Sequence, residues 1–232
     1  MIRQGSEKGL DGRRRFYSPL EKTADLAELI GIILGDGHLT RYVRTERLVI
    51  TCGFKKTRYI KQVAQIVKNV FSKPPSIIKR KTKEAFDISL YQCDLSKRLG
   101  VPTGNKIKND VGVPAWIKKN KEYIIRCLKG LFETDGCFQR DPSNYAQYIE
   151  LKNLCSRIKL DTYYMLIGLG YNPQISTRYV RLARKNEVSS FIGEALGLSE
   201  NDTDSLTKAN KVALKAIADF IHNEKMEVME TE

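Results

Sequence analysis

Two stretches decide the reading of this sequence: Leu29-Ile-Gly-Ile-Ile-Leu-Gly-Asp-Gly37 and Leu128-Lys-Gly-Leu-Phe-Glu-Thr-Asp-Gly136. Their Asp-Gly pairs lie 99 residues apart, and the same offset relates Leu39 to Phe138, Arg41 to Arg140, Ile50 to Ile149 and Arg58 to Arg157. A chance match of nine residues does not hold its register over a further twenty. Farther on, Ile77 against Ile175 and Leu90 against Leu182 give offsets of 98 and 92, as a shorter hairpin in the second copy requires. The chain reads as a duplicated unit of roughly 100 residues.

Both copies show the same order of periodicities. Leu26, Leu29, Ile30 and Ile33 fall at helical spacing over Asp25 to Leu34, with Thr23 or Asp25 placed to cap the helix, and Ile124, Cys127, Leu128 and Leu131 repeat this over Tyr123 to Glu133. Each helix stops at its Asp-Gly. Alternation follows, with Leu48, Ile50 and Cys52 on the inner face of a strand and Arg47, Thr51 and Gly53 on the other. In the second copy Ile149 and Leu151 face inward, leaving Tyr148, Glu150 and Lys152 outside. Next come a helix (Tyr59 to Phe71; Ile158 to Leu169) ended by Lys73-Pro-Pro or Gly170-Tyr-Asn-Pro, strands centred on Phe86, Ile88, Leu90 and on Val180, Leu182, and a short helix (Asp94 to Leu99; Val188 to Leu196). The expected fold is α+β, an αββαββα unit used twice. It divides into an N-terminal arm (1–22), a first unit (23–100), a linker (101–121), a second unit (122–222) and an acidic tail (223–232) that reads as disordered.

The 232 residues are long enough to bury a core, and 41% are hydrophobic. Nothing approaches the roughly 18 apolar residues of a membrane span, and the N-terminus lacks the apolar run of a signal peptide, so a soluble intracellular protein is expected. Five cysteines without a C-x-x-C pair argue against zinc sites and a disulfide framework. Lys and Arg outnumber Asp and Glu by 40 to 27, and between Arg41 and Lys121 by 20 to 5, so the excess is concentrated rather than spread. Such a distribution fits a polyanionic partner, nucleic acid above all.

Asp-Gly at a helix end is ordinarily a turn, with glycine taking a left-handed cap. Here an anionic side chain opposes the helix dipole at equivalent places twice, at a typical cost of about 0.3–1 kcal/mol each. The preceding helices also carry small residues four apart, Gly31 and Gly35 in one, Gly130 and Thr134 in the other. That spacing lets two backbones approach closely. If the helices pack on each other about a pseudo-twofold axis, Asp36 and Asp135 meet, and with divalent cations between them they form a clamp suited to phosphodiester hydrolysis.

On these motifs the chain resembles the LAGLIDADG homing endonucleases, in particular their single-chain, two-motif class. Leu34 and Glu133 stand where the family name has its first Asp, a position that varies freely. The resemblance implies two saddle-shaped four-stranded antiparallel sheets set in the major groove of a long asymmetric site in double-stranded DNA. It also implies Mg²⁺-dependent cleavage to short 3′ overhangs by a monomer, with Mn²⁺ as an alternative and Ca²⁺ binding without supporting cleavage. Carried over, Asp36 and Asp135 are metal-binding carboxylates, with the carbonyls of Gly35 and Thr134 as further ligands. Lys152 and Lys106 are the basic residues beside the scissile phosphates. Gly53 is the expected first-unit counterpart of Lys152, so the site would be asymmetric or use Lys55 or Lys56, and Lys208 is the candidate partner of Lys106. DNA contacts are expected from the outward faces and hairpins: Arg47, Thr51, Lys79, Arg80, Lys81 and Lys83 in the first unit, Gln139, Tyr148, Glu150, Arg178 and Arg181 in the second. Trp116 reads as a packing anchor.

The rival reading is a non-cleaving binder on the same scaffold, either an RNA maturase acting on a host intron or a DNA-binding regulator. Two mutually repelling carboxylates give a pure binder nothing, which favours the endonuclease. The termini lack splicing-like features, so an intron-encoded or free-standing origin is expected over an intein.

Overall fold

In a computed structural model, the described residues are 7–8, 15–53, 57–81, 84–140 and 147–195. Lys55, Lys56, Lys83, Lys208 and the acidic tail lie outside them. A two-stranded ribbon, β1 (Glu7–Lys8) and β2 (Arg15–Phe16), precedes two successive αββαββα units. The first comprises α1 (Ala24–Gly35), β3 (Gly37–Arg41), β4 (Glu46–Gly53), α2 (Thr57–Phe71), β5 (Ser76–Lys79), β6 (Ala85–Gln92) and α3 (Leu95–Leu99). The second comprises α4 (Lys121–Asp135), β7 (Gly136–Arg140), β8 (Gln147–Lys152), α5 (Ser156–Gly168), β9 (Gln174–Ile175), β10 (Tyr179–Leu182) and α6 (Lys185–Ser190), which runs on into a π-helical turn over Phe191–Ala195. Each unit builds one antiparallel sheet, in the order β3-β4-β6-β5 or β7-β8-β10-β9.

Local chemistry starts the two long helices as the sequence predicts, with one addition. Thr23 Oγ1 accepts from the Leu26 N–H at 3.2 Å to cap α1. At α4 the cap is Asn120, whose Oδ1 accepts from the N–H groups of Glu122 (2.9 Å) and Tyr123 (3.3 Å). The spacing of apolar positions predicts one buried face for α1, yet every residue from Leu26 to Leu34 is buried. This helix packs against α4, α2 and the first sheet at once and so has no solvent face. Glu28, fully buried, is reached from α4 by Arg126 at 2.7 Å and Lys129 at 3.4 Å.

The strands alternate as expected, with Leu48, Ile50 and Cys52 buried on β4 and Ile149 and Leu151 on β8. Their register differs from a constant offset. Gly37 pairs with Ile50, whereas Gly136 pairs with Leu151 rather than Ile149. The second hairpin is thus slid by two residues relative to its motif, and the offset of 99 returns by the starts of α2 and α5 at Thr57 and Ser156. An even slip keeps every side chain on its own face, which is why the sequence pattern conceals it. The residue just past the Gly–Ile or Gly–Leu pair is Thr51 in one unit and Lys152 in the other. Thr51, and not Gly53, is therefore the structural counterpart of Lys152.

Candidate active site and nucleic-acid interface

The two motif helices touch through their backbones. A Cβ added at Gly31 would sit 2.2 Å from the Cys127 carbonyl oxygen, and one at Gly130 would sit 2.4 Å from that of Glu28. One turn on, a Cβ at Gly35 would lie 2.0 Å from Thr134 Oγ1 and 3.5 Å from the carboxyl carbon of Asp135. The small-residue pattern thus brings the ends of α1 and α4 together, with the Asp135 carboxylate beside the residue that precedes Asp36. Gly37 and Gly136 are needed for space: an added Cβ would come 2.5 Å from Ile33 Cα or 2.2 Å from the Phe132 carbonyl oxygen. Gly136 is extended (φ −76°, ψ 148°), which replaces the left-handed cap expected of such a glycine.

Asp36 is exposed at the C-cap of α1, its own N–H donating to Ile32 O at 3.0 Å. Asp135 is the last residue of α4 and half-buried, and its Oδ2 accepts from Asn153 Nδ2 at 2.7 Å. Burial above all pushes the Asp135 carboxyl up to about 6; the Asn153 hydrogen bond opposes this, the charge of Asp36 adds to it and Lys106 subtracts.

Lys106 supplies the missing cation at the helix end. Its Nζ donates to the carbonyls of Leu34 at 2.8 Å, Ile33 at 3.2 Å and Gly35. It thereby satisfies the Leu34 and Gly35 carbonyls at the end of α1, shares the Ile33 carbonyl with the Asp36 N–H, and offsets the unfavourable position of Asp36 on the dipole. Burial lowers the Lys106 ammonium from its usual range, while Asp135 and Asp36 hold it up. The segment carrying Lys106 is pinned on the second unit: Val113 N–H donates to Asp161 Oδ2 at 2.7 Å, and Lys118 Nζ meets Asp161 Oδ1 at 2.7 Å. Nearby, Trp116 packs edge-on against Tyr123 with ring centroids 5.2 Å apart.

The Gly35 carbonyl already accepts from Lys106, and Thr134 Oγ1 bonds back to Gly130 O at 3.0 Å and Leu131 O at 2.9 Å. Among the described residues no cluster of three or more His, Cys, Asp or Glu side chains could hold an ion alone. Two carboxylates form an all-oxygen donor set, which fits Mg²⁺, with water and substrate phosphate left to complete its shell.

Lys152 is exposed and its Nζ lies 2.8 Å from Glu150 Oε1, not on Asp135. The residue that does reach Asp135 is Asn153, absent from the sequence-based candidates. Its position ahead of α5 reads as an ordinary turn, and its Oδ1 does accept from Cys155 N–H at 2.8 Å. Glu150 is on the outward face as expected but only 1% exposed, roofed by Lys152 and Arg181.

The remaining DNA candidates occupy the faces turned away from the core. Arg47 lies with its guanidinium 5.4 Å from the Tyr91 ring centroid. Thr51 donates to Asp87 Oδ1 at 2.8 Å, where Arg80 Nε also binds at 2.8 Å. Lys79 and Lys81 are exposed on either side of Arg80. In the second unit Tyr148 OH donates to Gln139 Oε1, Arg178 is exposed in the β9–β10 turn, and Arg181 lies between the rings of Tyr148 and Tyr179 at 4.0 and 4.2 Å.

A pH test follows from Asp135. With its carboxyl held near 6, the folded chain retains a proton that the unfolded chain has released once pH exceeds about 4. Stability in EDTA should therefore fall as pH rises from about 4 to about 6. Asp135→Asn cannot ionise and should melt above the wild type at pH 7, with the gap closing toward pH 4. Equal melting temperatures across that range would contradict the burial of this carboxylate.

Two four-stranded sheets on a glycine-packed helix pair, each helix ending at an aspartate, constitute a duplicated LAGLIDADG-type fold. Solved structures of I-DmoI, a homing endonuclease, share it: in complex with DNA and Mn, I-DmoI superposes with a TM-score of 0.53 at 20% identity, over 76% of this chain and 98% of its own. With DNA and Ca the values are 0.53 and 19%, over 75% and 90%. The N-terminal LAGLIDADG domain of DUF199/WhiA gives 0.52 at 19% identity, over 78% and 87%. In sequence, 201 residues covering 82% of the chain are 28% identical to the replication factor C small subunit of Methanocaldococcus jannaschii, and the match spans about a tenth (10%) of that protein. No family model matches the sequence. No helix among the described residues is long and apolar enough to cross a membrane.

Proposed function

We propose that this chain is a site-specific endonuclease of double-stranded DNA, acting as a monomer and cutting both strands to leave short 3′ overhangs. The observation that carries the reading is the placement of Asp36 and Asp135 at the packed ends of α1 and α4, near enough that the charge of one acts on the other. Keeping a half-buried carboxylate next to a second one costs stability and gives a pure DNA binder nothing. A divalent cation such as Mg²⁺, if bound there, would supply positive charge to stabilise the phosphodiester as it is hydrolysed. Asp36 and Asp135 hold it, Asn153 fixes the orientation of the Asp135 carboxylate, and Lys106 keeps a desolvated positive charge where negative charge develops on the phosphate. Lys152 stands at the sheet end, where it neutralises a phosphate rather than touching the carboxylates. The duplex lies across the outward faces of both sheets, with units 23–100 and 122–222 each taking one half of the site and the basic surface of the first unit and linker gripping the backbone.

The test is incubation of the full chain and Mg²⁺ with a randomised duplex library, followed by sequencing of the cut ends. One cleaved sequence class with short 3′ overhangs is expected. Specific binding without cut ends would favour the DNA-binding regulator, and preferential binding of structured RNA would favour a maturase.

For Lys106→Ala a single-turnover rate lower by about 10²-fold is expected, from loss of the preorganised positive charge beside the two carboxylates. Lys152→Ala should slow cleavage much less, because that side chain is exposed and already paired with Glu150. Unchanged cleavage rates with weaker DNA affinity would reduce both to phosphate contacts.

A further inference from the structure

Carboxylates are out of place on a surface built to meet DNA, yet each outward sheet face has one on a central strand, and both are tied to an arginine. On the first sheet Asp87 accepts from Arg80 Nε at 2.8 Å, while Arg80 Nη2 donates to Thr51 Oγ1 at 2.9 Å. On the second, Arg181 Nε and Nη2 both donate to Glu150 Oε2, at 3.1 and 2.8 Å. The pairs occupy non-equivalent positions: Asp87 is the cross-strand partner of Thr51, and Arg181 that of Glu150, which the shifted register places two residues from the counterpart of Thr51. They are therefore not copies inherited from the duplication.

Neither pair is explained by stability or by DNA affinity. A buried ion pair is commonly no better than apolar residues of the same volume. A carboxylate also cancels a cation that would otherwise release counterions from the duplex. The pairs do share one geometric property. Both arginines spend the Nε–Nη2 edge of the guanidinium on the protein, and their Nη1 atoms make no hydrogen bond to the described residues. The end-on Nη1–Nη2 edge keeps an uncommitted N–H, and that edge matches the O6 and N7 acceptors of guanine in the major groove. Arg181 is further stiffened between the rings of Tyr148 and Tyr179, so little rotamer entropy remains to be lost on contact.

We infer that Arg80 and Arg181 each read one guanine, one in either half of the DNA site, and that Asp87 and Glu150 are positioning residues that aim them. This deepens the endonuclease reading and rests on it only so far as the outward faces bind duplex DNA. It makes the preferred site carry a G·C pair at two defined places where the lysine-lined parts of the surface impose no preference.

The experiment is selection of bound duplexes from a randomised library in Ca²⁺, with sequencing, for the wild type, Arg80→Gln, Arg181→Gln and Glu150→Gln. Wild-type sites should hold guanine at one position in each half. Arg181→Gln should lower the guanine preference by about tenfold or more at one of them, with a shift toward adenine, and leave the other unchanged; Arg80→Gln should do the converse. Glu150→Gln keeps Arg181 and the fold's polar contacts, and should weaken the preference at the Arg181 position alone. Variants that bind more weakly to every sequence, with the preferences intact, would overturn the inference and leave the endonuclease reading standing. Absence of any selected sequence with the wild type would overturn both.

Discussion

Asp36→Asn and Asp135→Asn are each expected to abolish double-strand cleavage in Mg²⁺, with single-turnover rates reduced by about 10³-fold or more, while specific binding to the same duplex stays within a few fold. The amide keeps the shape of the carboxylate and removes the charge, so on the proposed function what is lost is cation binding at the joined helix ends. A cation's contribution to charge stabilisation in the transition state is several kcal/mol, and about 1.4 kcal/mol corresponds to tenfold in rate. The two variants should differ in other respects. Asp36 is exposed, and its removal relieves Asp135 of a neighbouring charge that pushes the carboxyl up. Asp135 is half-buried, and its replacement removes a desolvated group, so Asp135→Asn should fold at least as well as the wild type at neutral pH. Gel assays of both strands, with affinity measured in Ca²⁺, separate the two effects. Normal cutting by either variant would remove the metal assignment.

The second large effect is expected from a single carbon atom. Alanine is normally preferred over glycine inside a helix by about 1 kcal/mol. At Gly31 and Gly130 that preference is overruled, because the added Cβ would stand 2.2 or 2.4 Å from a carbonyl oxygen of the opposite helix. Backbone atoms of a buried helix have nowhere to retreat, and overpacking of this sort costs about 1–3 kcal/mol or more. Gly31→Ala and Gly130→Ala should therefore melt lower than the wild type by about 5–10 °C for a domain of this size. Gly168, at the end of α5 with nothing within 4 Å of an added Cβ, is the control: its replacement by alanine should be neutral or slightly stabilising. Gly31→Ala or Gly130→Ala as stable as the wild type would mean that the helices stand farther apart than described.

The fold was legible in the sequence because its determinants are local and repeated. Thr23 caps α1, Leu48, Ile50 and Cys52 alternate on β4, and the small residues at 31, 35, 130 and 134 mark the helix contact. What stayed hidden depends on tertiary placement. The two-residue slip of β8 left every inward residue inward, so no pattern could report it. Lys106 follows Gly35 by 71 residues, and nothing local foretells that its ammonium ends on the last carbonyls of α1. Asn153 reads as a turn residue and also serves Asp135, while Glu150 points outward and is nonetheless sealed by its neighbours.

The backbone contact between α1 and α4 has a mechanical consequence. On the proposed function, the separation of the two carboxylates sets how far apart the two strands are nicked, and so the length of the overhang. Side chains at an interface can be exchanged for others of different length, but a contact between main chains has no adjustable spacer. The helix pair acts as a fixed gauge, and the sheets as replaceable jaws mounted on it. Redesign of the sheet surfaces can then change where such a protein cuts without changing the shape of the ends it leaves.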